Sequence, residues 1–141
     1  MAITFDSENI DFPNIKKRGT SAWIKKIANS YYKKIGEVAY LFCNDEKILE
    51  INRQYLDHDF YTDIISFDYS EGDIISGDIF ISLDTVRTNS QKYNTDYQEE
   101  LHRVIIHGVL HLCGLDDKLD EDAISMREAE NSALKQLYNN E

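Results

Sequence analysis

His107 and His111 are four residues apart, which at 3.6 residues per turn puts both imidazoles on one side of a helix. Gly114 follows three residues later, where a left-handed conformation would end that helix and turn the chain back. Asp117, three residues beyond it, can then swing its carboxylate toward the same point. Two imidazoles and one carboxylate make a three-ligand metal site with a coordination position left open. That is the catalytic arrangement rather than the structural one.

The spacing H-x3-H-x2-G-x2-D repeats the ligand framework of the metzincin proteases. Those enzymes carry their general base directly after the first histidine, where this chain has Gly108. A peptidase mechanism loses its proton acceptor. Gly108 is expected instead to allow close packing or the approach of substrate.

These residues need elements to hold them. Thr20 or Ser21 is expected to cap a helix running to about Ile35, with Trp23, Ile24, Ile27, Ala28, Tyr31 and Ile35 as its apolar stripe. Strands are expected at Ile3–Phe5, Glu37–Cys43, Thr62–Phe67 and Asp78–Ser82, with a polar excursion from Asp68 to Gly77. Asn44 or Asp45 should cap a helix reaching Tyr55 or Leu56, with Ile48, Leu49, Ile51 and Tyr55 inward. A helix from Asp84 to about Lys92 comes next. Thr95-Asp96-Tyr97-Gln98 then opens the histidine helix as a capping box. That helix is apolar over most of its circumference and should be central. A last helix runs from about Asp120 to Tyr138, its opening acids suited to the positive end of its dipole. The expectation is one α+β domain spanning residues 1–141, with a small mixed sheet of about four strands packed with about five helices.

Net charge is −11 over 141 residues, unevenly spread. Residues 1–36 hold seven Lys or Arg against three acids; residues 37–141 hold eight against 23. The overall field repels nucleic acid, so a polyanionic substrate needs a local basic face helped by a metal. Lys25, Lys26 and Lys33 supply a candidate face. No apolar stretch reaches the ~20 residues of a membrane span, and no signal peptide is visible. The protein is therefore expected in the cytoplasm, with Cys43 and Cys113 as buried thiols.

The stretch from His107 to Asp116 resembles the YbeY family pattern H-G-x-L-H-L-x-G-x-D-H. The likeness extends through Asn52, Tyr55 and Asp59 to Thr62-Asp63-Ile64-Ile65-Ser66-Phe67. It continues in Gly77-Asp78-Ile79 with Ile81-Ser82, in Glu99-Glu100-Leu101, and in Met126 with Glu130. The resemblance implies a single-strand-specific, metal-dependent endoribonuclease of rRNA maturation, including small-subunit rRNA 3′-end processing, and of ribosome quality control. Its implied partners are single-stranded RNA, rRNA and the small ribosomal subunit. The implied cofactor is one Zn2+ held by His107, His111 and Asp117, with Fe2+, Ni2+ or another divalent ion as alternatives. Two departures stand out. Asp117 replaces the family's third histidine, and an anionic ligand lowers the Lewis acidity of the metal. Leu56 stands where the family has an arginine, so Arg53 or Arg103 is a candidate to supply that charge. Asp116 is expected to support the ligand-bearing turn, and His58 to line the RNA groove. His102 lies about 140° round the helix from His107 and is expected not to be a ligand. Two other readings stay open: a ribosome assembly factor with a structural metal, and a metallohydrolase of another bond such as peptide.

Overall fold

A computed structural model describes residues 2–56 and 62–139. In chain order the elements are β1 (Ala2–Ser7), α1 (Lys17–Ser30), β2 (Lys34–Cys43), α2 (Asp45–Tyr55), β3 (Ile64–Asp68), β4 (Ile74–Ser82), α3 (Leu83–Lys92), α4 (Tyr97–Leu112) and α5 (Asp120–Asn139). The sheet order is β1-β2-β4-β3, with β1 and β4 parallel to β2 and β3 antiparallel to β4. The fold is α+β with a mixed four-stranded sheet, as the residue patterns predicted.

The strands alternate as half-buried strands must. Val38, Tyr40 and Phe42 of β2 lie beside Gly77, Ile79 and Ile81 of β4 and belong to the main core with α1, α4 and α5. On the opposite face Cys43 and Ile65, with Phe67 and Phe80 packed against them, meet Ile48 and Ile51 of α2. Helix α4 is the central element. Leu101, Ile105, Ile106, Val109 and Leu110 are fully buried. Each large aliphatic side chain among them contributes about 1.5–3 kcal/mol by leaving water. Two long-range hydrogen bonds lock the layers. The Tyr40 hydroxyl donates to the Ile105 carbonyl at 2.7 Å, tying β2 to the middle of α4. The Trp23 indole N–H donates to the Ala133 carbonyl at 2.8 Å, tying α1 to α5.

Several boundaries differ from the sequence expectation. Helix α1 begins at Lys17, with Lys16 at its N-cap, and ends at Ser30. Tyr32 adopts φ 61°, and the chain turns into β2, which takes Ile35. Ile35 falls at helical spacing from Tyr31 by coincidence, and its side chain is buried from the sheet. Strand β4 begins at Ile74, so the excursion after Asp68 is a short hairpin turn with Gly72 at φ 58°. Tyr55 is exposed rather than inward, its ring edge on Phe67, and Asn52 takes the buried position on α2. Asp96, not Thr95, caps α4, accepting from the Glu99 N–H.

Candidate metal centre and groove

The last turn of α4 and the loop after it build the site. Gly114 sits at φ +105°, a backbone conformation that strains any residue with a Cβ. Its N–H donates to the His111 carbonyl at 2.9 Å, and the Leu115 N–H reaches back to the Leu110 carbonyl at 3.0 Å. This pair of bonds is a Schellman closure, which satisfies helix-end carbonyls and reverses the chain. The Asp116 Oδ1 accepts from the Asp117 N–H at 2.7 Å and the Lys118 N–H at 3.3 Å. Those N–H bonds hold the Asp116 carboxyl below the usual carboxylate range.

The loop brings Asp117 Oδ2 to 3.4 Å from His107 Nε2 and 3.6 Å from His111 Nε2. One donor atom from each of the three residues lies within 4.8 Å of the others. Donors about 2.0–2.1 Å from a tetrahedral ion stand roughly 3.3 Å apart, so the spacing suits one cation. The rings are already oriented for it. His107 Nδ1 donates to Glu130 Oε2 at 2.6 Å, and His111 Nδ1 donates to the Leu115 carbonyl at 2.9 Å. Each bond puts the ring proton on Nδ1 and leaves the Nε2 lone pair facing Asp117. The two imidazoles are nearly perpendicular, with centroids 4.5 Å apart.

Glu130 is the functional residue whose role the sequence did not disclose. It comes from α5, is 5% exposed, and also accepts from Arg103 Nη1 at 3.0 Å. Burial alone would raise its pKa; the hydrogen bonds from His107 and Arg103 outweigh that and hold it ionised. Burial opposes charge on His107 as well, but the bond to Glu130, with Glu130, Asp117 and Asp63 as neighbouring charges, keeps its pKa above the ordinary value. The Met126-to-Glu130 spacing was the available signal, but spacing alone does not say which ring a carboxylate faces.

The remaining candidates scatter. Arg103 bonds both Glu130 and, through Nη2 at 2.8 Å, Asn131, so its guanidinium is committed behind the site. Arg53 is exposed on α2. Leu56 lines a groove of about 750 Å³ beside the donors, together with Asn52, Thr62, Ser66, His111 and Lys118. Lys118 is thus a cation on the groove that the sequence reading did not single out. Lys25 and Lys26 are exposed on α1, whereas Lys33 lies past its end and pairs with Asp73 at 3.7 Å, so the three share no one face. His58 lies outside the described residues. His102 donates from Nδ1 to the Gln98 carbonyl at 2.7 Å and packs edge-on to Trp23, away from the donors. A Cβ on Gly108 would point into the sheet, 3.0 Å from Ile79 Cδ1 and 3.1 Å from Ile64 Cδ1. That glycine serves close packing of α4 on β3 and β4.

Residues 3–138 match a family model described as "Endoribonuclease YbeY". The chain belongs to the YbeY family. Its curated relatives include Endoribonuclease YbeY of Bacteroides fragilis, 63% identical over 95% of this chain and 96% of that one. Another is the Bacteroides thetaiotaomicron protein of the same name, 61% identical over 95% and 98%. The solution structure of TM1509 from Thermotoga maritima superposes with a TM-score of 0.71 over 99% of this chain and 91% of that one. At 24% identity that likeness speaks for the fold. Within the YbeY family pattern the departures here are Asp117 at the third donor position and Leu56 on the groove wall.

Proposed function

We propose that this protein is a metal-dependent endoribonuclease of rRNA maturation, specific for single-stranded RNA and working in the cytoplasm on the small ribosomal subunit. Membership of the YbeY family supports the nuclease assignment. The observation that carries the mechanism is the convergence of His107, His111 and Asp117 on one point beside an open groove. Among the described residues no helix is long and apolar enough to cross a membrane. Residues 1–141 are read as one domain, with the donors, their support and the groove all drawn from it.

The three residues would hold one divalent cation, Zn2+ before Fe2+ or Ni2+ on the mixed imidazole and carboxylate donors. When bound, the cation supplies Lewis acidity at the phosphodiester and makes a water more acidic. The chain's own groups do the rest. Glu130 keeps His107 in its Nδ1–H tautomer, and the Leu115 carbonyl does the same for His111. Arg103 neutralises Glu130 from behind and so acts through it. Asp116 pins the backbone that carries Asp117. Lys118 stands on the groove wall, placed to meet phosphate charge where Leu56 offers none. Gly108 presents no carboxylate to the site and faces the sheet, which leaves peptide hydrolysis without its base.

The test is cleavage of an unstructured RNA by metal-replete protein. Wild type is expected to cut it, and His111→Ala to lose cutting with its circular dichroism unchanged. Binding without cutting by fully metallated wild type would instead favour an assembly factor.

A further inference from the structure

A second cleft, of about 750 Å³, opens between α1, α4 and α5 on a different face of the molecule. Its residue His102 precedes His107 by five positions on α4, which is about 7.5 Å along the axis and about 140° around it. In its wall the buried Trp23 ring backs His102, edge-to-face at 5.9 Å, and Tyr138 is the exposed ring. Gln98 and Gln136 add amides, and Lys16 and Lys26 are the cations. Among the described residues lining it, none is Asp or Glu. In a chain of net charge −11 this is an unusual surface.

The N-terminus of α1 opens on it. Lys16, the N-cap, offers no side-chain acceptor to the first-turn N–H groups, and that turn holds no acidic residue. The last turn of α5, with Gln136, Leu137 and Tyr138, lines the same cleft and holds no basic residue, so its negative end offsets the positive end of α1 and the two ammonium groups set the charge there. Two ammonium groups suit phosphate; an exposed aromatic ring beside two amides suits a base, whose face is apolar and whose edge pairs with amides.

We propose that this cleft binds one nucleotide of the same single-stranded RNA, as an exosite that anchors the strand away from the cutting centre. The inference rests on the RNA-cleaving reading above. In it, Lys16 and Lys26 meet the phosphates, the base lies against His102 and the exposed ring of Tyr138 with Trp23 buried behind them, and the glutamine amides meet its edge.

Trp23 is the only tryptophan in the chain, so its emission reports on the cleft directly. Metal-free protein, which cannot cut through the metal site, is titrated with a single-stranded octauridylate. The expected result is saturable quenching of Trp23. Lys16→Ala/Lys26→Ala should weaken it about tenfold and lower the slope of log K against log salt by about 1.4, roughly 0.7 per lost phosphate contact. His111→Ala should quench like wild type. In metal-replete protein the double variant should lose on KM rather than on kcat. No saturable quenching, or an affinity and salt slope unchanged in a folded double variant, would overturn the exosite. Failure of metal-replete wild type to cut, with charge-dependent quenching intact, would instead sink the nuclease reading and leave the RNA-binding cleft standing.

Discussion

Replacing Glu130 with glutamine tests the central claim, because it removes a charge and one acceptor without changing shape. In the native protein each carboxylate oxygen has its own donor: His107 Nδ1 at 2.6 Å and Arg103 Nη1 at 3.0 Å. Glutamine has one oxygen and one NH2. If the oxygen turns to His107, the NH2 faces a guanidinium whose side chain is only 11% exposed. Two donors then oppose each other in a buried place, at a cost of about 1–3 kcal/mol. The oxygen therefore turns to Arg103, and the NH2 donates to His107 Nδ1. That forces the ring proton onto Nε2, the atom that must ligate. Recovering the competent tautomer costs a similar amount, so metal affinity should fall about 10–100-fold, in line with lost support of a liganding histidine. The assay is competition for Zn2+ or Co2+ against a chromophoric chelator at neutral pH, with folding followed by circular dichroism. A second variant sharpens it. In Arg103→Met/Glu130→Gln the amide is free to offer its oxygen to His107, and much of the affinity should return. Affinity within twofold of wild type in Glu130→Gln, or no recovery in the double variant, refutes the tautomer argument.

Gly114→Ala places a Cβ at φ +105° and should cost about 1–3 kcal/mol in urea denaturation while also weakening metal binding, since the same turn delivers Asp117. Gly77→Ala would set a Cβ 2.5 Å from the Phe67 carbonyl oxygen in the neighbouring strand, so a loss of about 3 kcal/mol is expected, with Tm as the check. Burial pushes the Cys43 thiol up to about 12 and the Cys113 thiol to about 11. Both stay protonated at pH 8, so a thiol-disulfide reagent should label the native protein slowly and the urea-unfolded protein at once.

The donor set was open to a sequence reading because it is local. His107, His111, Gly114 and Asp117 lie within one helix end and its turn, where backbone geometry alone decides which side chains meet. The support was not, since Glu130 reaches His107 across the packing of α5 on α4. The same limit applies to Arg103. Its sequence position beside the histidines suggested the groove, and only the tertiary contact with Glu130 and Asn131 shows where its charge is directed. Helix α1 was mislaid at both ends for a related reason. Ile35 continues the helical spacing but is claimed by β2, whose pairing with β4 no local pattern reveals. The buried place of Asn52 and the exposure of Tyr55 likewise follow from which side of α2 the sheet covers.

The dependence on α5 has a consequence for the newborn chain. All three donors precede Asp120, yet the partner that sets the His107 proton lies in the final helix. A polypeptide still emerging from the ribosome can expose every donor before the carboxylate that orients His107 is in place. In an RNA-cutting protein this order of synthesis holds back full support of the candidate metal site until α5 docks on α4.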